Sequence, residues 1–330
     1  MRGFALLLFV AWLPSSASAQ EANRRYEGPV IDMHLHASSA SENGPPGSLI
    51  CPGAAADMRY DPREPWPEAF GRLLSKPTCP HPVKGAMTDA DNRDEAIAAL
   101  RRNHARAVLS GFPDTRKYWS GAAPSGTFIP AQYLSWSDTK TYTPEAIAAA
   151  FDRGDIALLS EVTTQYEGVF ADDPRFEPYW TMAEEKDIPV GIHMGVGPPG
   201  SPMLFPGYRI QNPRHLEAVL AKHPHLRVYM MHAGWPYAED LKAMLYAWPQ
   251  LMVDTGVLQA ALTRAEYYSF LKEIVDAGFS DRIMFGSDQM NWPGLIDEGI
   301  NAINDAPFLS YEQKKAILHD NAQRFLRLKD

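Results

Sequence analysis

The stretch Ile31-Asp32-Met33-His34-Leu35-His36 ends an apolar run with two histidines that are two residues apart. Residues i and i+2 of a strand point to the same face, so His34 and His36 lie about 7 Å apart along the backbone and face the same way. Two such imidazoles can converge on one cation, with metal–nitrogen bonds of about 2.1 Å. The same spacing also suits histidines that line a sheet edge or a polar cavity, so the pair alone leaves both interpretations open.

Short apolar runs alternate with longer amphipathic stretches on the C-terminal side of this pair. Eight runs have the length of a strand: Val30–His34, Ala105–Leu109, Phe128–Leu134, Ile156–Val162, Val190–Met194, Leu226–His232, Leu251–Thr255 and Arg282–Asp288. Helix-like stretches separate most of them: Asp89–His104, Ile147–Arg153 after the N-cap Thr143, Arg175–Asp187, Pro213–Lys222, Ala238–Trp248, Arg264–Ala277 and Tyr311–Leu328. Eight strands alternating with helices predict an α/β fold, a single (β/α)₈ TIM barrel over residues 20–330.

Two segments fit this alternation less well. Residues 37–88 are rich in Pro, Gly and Ser and predict a long loop insertion after strand 1, and residues 111–126 leave room only for a short or irregular helix. The insertion contains Cys51 and Cys79, and in an oxidising compartment two cysteines of one loop favour a disulfide. The bond would stabilise the fold by roughly 3–4 kcal/mol. Free thiols or a share in a metal site are the alternatives.

The N-terminus has the pattern of a secretory signal peptide. Residues 1–19 combine the cation Arg2, the apolar run Gly3–Leu13 and the cleavage-site pattern Ala17-Ser18-Ala19. The apolar run is shorter than the roughly 20 residues that a membrane span needs. The sequence therefore predicts an exported protein, periplasmic or secreted, whose mature chain begins at Gln20.

The composition is that of a globular protein. Of 330 residues, 45% are hydrophobic and 22% are charged, which excludes disordered, collagen-like and coiled-coil chains. The formal net charge of −9 disfavours nucleic acid and anionic lipid as partners and leaves a small-molecule substrate. Proteins of this size often form symmetric dimers, so we allow for a homodimer.

Three further metal-competent side chains stand at the ends of predicted strands. His193 ends the fifth strand, His232 ends the sixth and Asp288 ends the eighth. The C-terminal ends of barrel strands meet around one mouth, where the active sites of TIM barrels lie. The sequence therefore predicts one shared metal site at this mouth.

The order of these residues resembles the amidohydrolase superfamily, which has His-x-His after strand 1, His after strands 5 and 6, and Asp after strand 8. The stretches that carry the resemblance are Gly191-Ile192-His193-Met194-Gly195, Met231-His232-Ala233-Gly234, Phe285-Gly286-Ser287-Asp288 and Asn321-Ala322-Gln323-Arg324-Phe325-Leu326. They are most similar to the amidohydrolase-related branch that includes aminocarboxymuconate-semialdehyde decarboxylase. The resemblance implies that His34, His36, His193 and Asp288 are metal ligands, and that His232 is a ligand or a group that orients water.

Glu161 bears on whether the site holds one cation or two. It lies near the end of the fourth strand, where the two-metal relatives place a bridging carboxylate or a carbamylated lysine. The decarboxylase-like relatives with one metal generally lack that group. We predict that Glu161 bridges two cations. A glutamate held by a basic residue elsewhere on the rim is the alternative.

The predicted chemistry is hydrolysis at a carbonyl centre. Histidines and a carboxylate favour zinc, with manganese or iron as alternatives. A bound divalent cation activates water, and Asp288 can act as the acid–base group that moves its proton. We expect a lactone, ester or amide as substrate. A non-oxidative decarboxylase of an aromatic or unsaturated acid is the first alternative, and a non-catalytic metal-holding protein is the second.

Six further residues are candidates for substrate contact because of their place in loops at the mouth. Arg59 and Arg209 could bind a carboxylate or a carbonyl group, and the others could line the pocket or simply pack the loops. These other candidates are Gln165, Tyr166, Trp235 and Trp292.

Overall fold

A computed structural model describes residues 24–53, 59–77 and 79–329 of the protein. The predicted signal peptide, residues 1–19, lies outside the described residues. Among the helices of the described ranges, none is long and apolar enough to cross a membrane.

Eight parallel strands form one sheet in chain order, and we number them β1 to β8. Their bounds are Val30–His36, Ala105–Gly111, Phe128–Leu134, Leu158–Val162, Val190–His193, Val228–Met231, Met252–Asp254 and Ile283–Met284. Backbone bonds join the two ends of the sheet. The amide of Met33 donates to Phe285 C=O at 2.9 Å, and the amide of Asp288 donates to His34 C=O at 2.7 Å. The sheet is a nearly closed TIM barrel, which confirms the predicted fold.

Helices connect the strands. Their bounds are α1 Trp66–Ser75, α2 Asp89–Arg102, α3 Pro113–Ser120, α4 Pro144–Asp152, α5 Glu177–Glu185, α6 Ser201–Leu204, α7 Glu217–Lys222, α8 Ala238–Ala247, α9 Leu258–Ala261, α10 Arg264–Asp276, α11 Leu295–Asn304, α12 Tyr311–Lys315 and α13 Asn321–Leu326. Short 3₁₀ turns occur at Ser137–Lys140, Thr164–Glu167, Pro174–Phe176, Pro213–Leu216, His232–Gly234 and Ser280–Arg282. The N-cap prediction is confirmed, because the Thr143 side chain accepts a bond from the amide of Ala146.

Several helical regions differ from the prediction. Helix α11 was not predicted, and neither were α1 and the short helices α6 and α9. The helix expected over Tyr311–Leu328 consists of α12 and α13 with the π-helical segment Ala316–Asp320 between them. The short helix expected within residues 111–126 is α3, which begins with proline, a residue that suits the first helical turn.

The hydrophobic core has an outer and an inner layer. The outer layer lies between strands and helices, and the inner layer fills the barrel with residues such as Met33, Ile129 and Tyr229. Phe325 of α13 packs edge-on against Tyr229 at a ring distance of 5.5 Å, so the C-terminal helix belongs to the inner layer as well.

Irregularities in β1 and β4 change which side chains face the inside of the barrel. The register of β1 shifts between Asp32 and Leu35, and the register of β4 shifts before Val162. Met33 packs in the inner layer although the next residue, His34, contributes to the site at the mouth. A bulge of this kind re-aims side chains next to a functional site.

Residues 37–88, which we call the cap, are an elaborated loop as predicted, with some regular structure. Leu49–Ile50 pairs with Val83–Lys84 as two antiparallel strands, and α1 lies between them in the chain. Cys51 and Cys79 form the predicted disulfide, with Cα atoms 5.9 Å apart. The pairing of both flanks closes the cap on itself.

The cap is bound to segments that follow other strands at the mouth. Trp292, after β8, donates its indole N–H to Ser48 C=O at 3.0 Å, and the amide of Ala86 donates to Asn291 C=O at 2.9 Å. Leu74 of α1 packs in one cluster with Ala260 of α9 and Trp292. The cap therefore lies against the C-terminal end of the barrel.

Candidate metal centre

The structure brings together all six residues predicted as metal ligands. Each lies at or just after the C-terminal end of its strand, and each is buried or nearly so: His34 and His36 on β1, Glu161 on β4, His193 on β5, His232 after β6 and Asp288 after β8. Their ligating atoms divide into two sets.

The first set consists of His34, His36 and Asp288. The Nε2 atoms of the two histidines are 3.1 Å apart, and Asp288 Oδ1 lies 3.6 Å from Nε2 of His34 and 3.1 Å from Nε2 of His36. Ligand atoms around a tetrahedral zinc ion with bonds of about 2.1 Å lie roughly 3.4 Å apart. The spacing of this set therefore fits a divalent cation, as does the chemistry of its donors.

The second set consists of His193 and His232 with Glu161. Nε2 of His232 lies 3.0 Å from Nδ1 of His193 and 3.4 Å from Glu161 Oε1, and that oxygen lies 2.6 Å from Nδ1 of His193. The other oxygen of Glu161, Oε2, faces the first set at 3.5 Å from Nε2 of His36 and 3.8 Å from Nε2 of His34. Glu161 thus stands between the two sets with one oxygen toward each.

Ser110 on β2 holds the backbone that carries Glu161. Its hydroxyl accepts a bond from the amide of Glu161 at 2.8 Å and donates to Ser160 C=O at 2.6 Å. Both serines and Glu161 are buried. These bonds fix the main chain at Glu161 and so restrict the positions that its carboxylate can take.

The second ring nitrogen of three histidines has an acceptor. Nδ1 of His34 lies 3.1 Å from Asp254 Oδ2, and Nδ1 of His232 lies 2.9 Å from Gly256 C=O. Nε2 of His193 lies 3.4 Å from the hydroxyl of Tyr166. A ring N–H directed at such an acceptor leaves the lone pair of the other nitrogen for a cation. The ligating atoms would be Nε2 of His34, Nε2 of His232 and Nδ1 of His193.

Asp254 is the functional residue that sequence reasoning missed. Its Oδ2 faces His34, and its Oδ1 accepts bonds from the amides of His232 at 2.9 Å and Gly256 at 2.8 Å. It ends β7, and an apolar strand that ends in a carboxylate is the signal that found Asp288 at the end of β8. Applied to Leu251-Met252-Val253-Asp254, the same rule would have found it.

The backbone is left-handed at two of the ligand positions. His232 has φ 58° and Asp288 has φ 48°, values that residues with a Cβ rarely adopt. Local strain of this kind persists where the surrounding structure holds it, often at functional sites. At Asp288, the hydrogen bond from its amide to His34 C=O helps to keep the backbone in this conformation.

Without a cation, the carboxylates and histidines of the site shift one another's pKa. Burial lowers the pKa of His34, but the charges of Asp288 and Asp254 outweigh it and raise that pKa well above the usual value. Burial raises the pKa of Asp288, but His34 and His36 bring it down to about 2. Burial also raises the pKa of Glu161, but the charge of His193 and its hydrogen bond outweigh burial and bring that pKa well below the usual value. The site thus attracts positive charge, whether as protons or as a cation.

Tyr166 is the predicted substrate residue that lies next to the metal ligands. Besides its contact with His193, its ring packs against Phe205 at 4.7 Å and against Tyr208 at 5.9 Å. Gln165, its neighbour, is fully buried, and its side chain donates to Gly195 C=O at 3.2 Å. Gln165 therefore binds the loop after β5.

The other four predicted substrate residues have different surroundings. Trp235 donates its indole N–H to Glu266 at 3.1 Å, and Trp292 donates to the cap. Arg59 is exposed, and Arg209 is exposed and donates to Tyr208 C=O at 2.7 Å. Their contacts with a substrate stay a prediction.

A family model with the description amidohydrolase matches residues 31–328. The match covers nearly all of the barrel and includes every predicted ligand. The chain belongs to the amidohydrolase family. The predicted superfamily is thereby confirmed, and this amidohydrolase has the fold and the site of a metal-dependent enzyme of that superfamily.

Two solved structures share the barrel of this amidohydrolase. A 5-carboxyvanillate decarboxylase from Sphingomonas paucimobilis is 14% identical, with a TM-score of 0.52, and a probable 2-pyrone-4,6-dicarboxylic acid hydrolase from Acinetobacter baumannii is 12% identical, with a TM-score of 0.55. Each alignment covers 91% of this chain and 99% of the other. At these identities the likeness extends to the fold alone, and this fold accommodates both reactions.

One curated relative matches over a shorter region. Protein fluG of Emericella nidulans is 24% identical over 105 residues, which is 32% of this chain. The match spans 12% of the length of fluG.

Proposed function

We propose that this amidohydrolase hydrolyses a lactone, an ester or an amide of a small molecule, with two divalent cations bridged by Glu161. The observation that carries the proposal is the position of Glu161, whose Oε1 lies 2.6 Å from Nδ1 of His193 and whose Oε2 lies 3.5 Å from Nε2 of His36. A carboxylate between two sets of histidines suits a pair of cations better than a single one. His34, His36 and Asp288 would hold one cation, and His193 and His232 would hold the other.

A divalent cation held there would lower the pKa of water from 15.7 to about 7 and polarise the substrate carbonyl. The water oxygen adds to the carbonyl carbon, and the bond from that carbon to the leaving oxygen or nitrogen then breaks. Asp288 takes the proton of the water and delivers it to the leaving atom, which balances the reaction. Its position supports this role, because its two oxygens face different sets of ligands. Oδ1 lies 3.1 Å from Nε2 of His36 in the first set, and Oδ2 lies 3.9 Å from Nδ1 of His232 in the second.

Zinc is the metal we propose, with manganese or iron as alternatives. The donors are imidazole nitrogens and carboxylate oxygens, a mixture that zinc commonly accepts and that the other two also tolerate. Nδ1 of His34 faces Asp254, and Nδ1 of His232 faces Gly256 C=O. Such hydrogen-bond partners fix the ring orientation of ligating histidines, which supports a metal site.

The first experiment is the metal content per chain of protein purified without chelator. About two ions per chain supports the bridged centre, and about one moves the decarboxylase and a single-metal lactonase up together. Protein that takes up no zinc or manganese after reloading would contradict the metal site altogether.

The second experiment measures turnover on a panel of aryl esters, lactones and anilides. Asp288→Asn should lower kcat about 10²–10⁴-fold, the range for loss of an acid–base group, while at least one metal stays bound. Asp276→Asn, at an exposed carboxylate of α10, is the matched control and should change nothing. Release of carbon dioxide from an aromatic acid, without hydrolysis of any panel member, would favour the decarboxylase. Metal binding with neither activity would favour a metal-holding protein.

Export through the N-terminal signal is also our proposal. The pattern of residues 1–19 supports it, and a disulfide is the kind of bond that persists in an oxidising compartment. N-terminal sequencing of protein from the periplasm or the medium should find Gln20 as the first residue. Protein that keeps Met1 and stays in the cytoplasm would contradict the proposal.

A further inference from the structure

Strand β3 contributes one side chain to the mouth that the proposed chemistry does not use. Ile129 and Ala131 of this strand are buried in the inner layer of the barrel. Since alternate residues of a strand face the same side, Tyr133 is the next inward-facing residue, at the end of the strand that faces the mouth. It therefore lies on the rim between Ser110 on β2 and Glu161 on β4.

In the described part of the chain, the hydroxyl of Tyr133 has one hydrogen-bond partner, and it accepts in that bond, so its own hydrogen is available to a substrate. Thr163 donates to it at 2.7 Å, so the phenol oxygen is the acceptor in that bond. Thr163 follows Glu161 by two residues, and the charge of Glu161 acts on the phenol, so both groups lie in the same part of the mouth. Burial and then the charge of Glu161 raise the pKa of Tyr133, so that the phenol keeps its proton at neutral pH.

The ring of Tyr133 is held in place by its neighbours. It packs edge-on against Phe112 at 5.5 Å, and Phe112 stacks on Tyr142 at 5.7 Å. The residue as a whole is partly exposed; Thr163 holds its hydroxyl and Phe112 holds its ring. A donor that is already oriented before the reaction needs little reorganisation when charge develops on a substrate oxygen.

We propose that Tyr133 donates a hydrogen bond to the carbonyl oxygen of the substrate and stabilises the negative charge that develops there when water adds. The bond to hydrogen is kept throughout, so Tyr133 supplies no proton and needs no co-reactant. The inference rests on the proposed hydrolase function, and it makes Tyr133 a catalytic residue in addition to the predicted metal ligands.

The test compares Tyr133→Phe with wild type, both loaded with zinc. The variant keeps the ring that packs on Phe112 and removes only the donor, so metal content and unfolding should not change. We expect kcat on the best ester or lactone of the panel to fall about 100-fold, as for loss of one oxyanion donor, with KM within about threefold. Tyr142→Phe is the matched control, since it removes a phenol from the same aromatic stack, and it should keep wild-type kcat.

A binding measurement provides a readout without turnover. Benzylphosphonate carries a tetrahedral anionic head that resembles the adduct of water with a carbonyl group. Titration calorimetry of the zinc-loaded proteins should give a Kd about tenfold higher for Tyr133→Phe than for wild type. If the wild type hydrolyses nothing but this difference is found, the assignment of Tyr133 holds and the hydrolase function fails.

Thr163→Val keeps the assignment testable if Tyr133→Phe does not fold. This variant removes the bond that orients the phenol, and kcat should fall about three- to tenfold with unchanged metal content. Wild-type kcat and wild-type benzylphosphonate affinity in Tyr133→Phe would overturn the proposal. So would a rise in KM alone, and so would a wild type that neither turns over the panel nor binds benzylphosphonate.

Discussion

Asp254 fixes the ring of His34, because its Oδ2 lies 3.1 Å from Nδ1 of that histidine and both side chains are completely buried. The carboxylate can only accept, so Nδ1 of His34 carries a proton, and the neutral ring that binds a cation presents the lone pair of Nε2 to the site. The same carboxylate also holds the amide of His232. One side chain of β7 thus positions ligands of both sets.

Asp254→Asn should therefore weaken metal binding. The amide oxygen can still accept from the backbone, but its NH₂ group would face Nδ1 of His34 and favour the tautomer whose Nε2 is protonated. We expect metal affinity to fall about 10- to 100-fold, measured by competition with a chelator.

Asp32→Asn is the matched control for this prediction. Asp32 is also buried in the barrel and its Oδ1 accepts from the amides of His34 and Ser287, but it forms no hydrogen bond with a histidine ring. The control should keep its metal affinity within about threefold. If both variants lost metal affinity equally, the loss would come from the removal of a buried charge and not from the tautomer of His34.

Metal binding should release protons at neutral pH. The pKa of His34 is raised well above its ordinary value in the metal-free site, so this ring is protonated at pH 7 and must lose a proton before Nε2 can bind a cation. Affinity should therefore increase with pH until the folded pKa of His34 is passed. Calorimetric titration in buffers of different ionisation enthalpy should show about one proton released per chain. No release at pH 7 would contradict the protonated state.

The raised pKa of His34 has a consequence for the stability of metal-free protein. A histidine whose folded pKa exceeds its unfolded pKa contributes stability that is complete below the unfolded value, about 6.5, and is lost as pH rises through the folded value. The loss should therefore occur above pH 7. Urea unfolding of chelator-treated protein at several pH values measures it, and zinc-loaded protein should not show the same loss.

Loss of the cap disulfide should destabilise the protein without emptying the site. The closed loop between Cys51 and Cys79 spans 28 positions, so replacing both by serine should cost roughly 3–4 kcal/mol of unfolding free energy. The metal ligands belong to the strands, and metal content should stay the same. Urea unfolding and elemental analysis check the two halves of this prediction. A double variant that loses its metal would mean that the cap supports the ligands directly.

Gly191 on β5 leaves room for a ring inside the barrel. A Cβ at this position would lie 2.4 Å from Cζ of Tyr229, a fully buried side chain that also bonds Ser160. Gly191→Ala should therefore destabilise the fold by about 1–3 kcal/mol, as overpacking does. Gly71→Ala is the control, because it lies within α1 with no atom within 4 Å, and it should stabilise by about 0.5–1 kcal/mol. Thermal unfolding of both variants decides the point.

The barrel was predictable because each strand is a short apolar run, and all eight runs correspond to strands. The ligands were predictable because a polar side chain at the end of such a run must face solvent or the mouth. Glu161 was harder to place, since the register shift in β4 turns it inward next to Ser160, and alternation along a strand does not anticipate a bulge.

The directions of loop side chains were not predictable. Trp235 and Trp292 stand in loops at the mouth, as expected, but their indole groups bond Glu266 and the cap. Such directions depend on contacts between segments that are far apart in the sequence. The same holds for Tyr133, whose hydroxyl is held by Thr163, the residue that follows the neighbouring strand.

The cap leaves the barrel after His36 and returns before Asp89, so it is one continuous piece of chain that carries none of the predicted metal ligands. Its disulfide closes it internally, and it is attached to the rest of the mouth through a few bonds such as that from Trp292 to Ser48. The predicted metal ligands and the cap are therefore encoded in separate parts of the gene. This one segment could therefore be exchanged between homologous enzymes while the strands that carry the ligands keep their sequence.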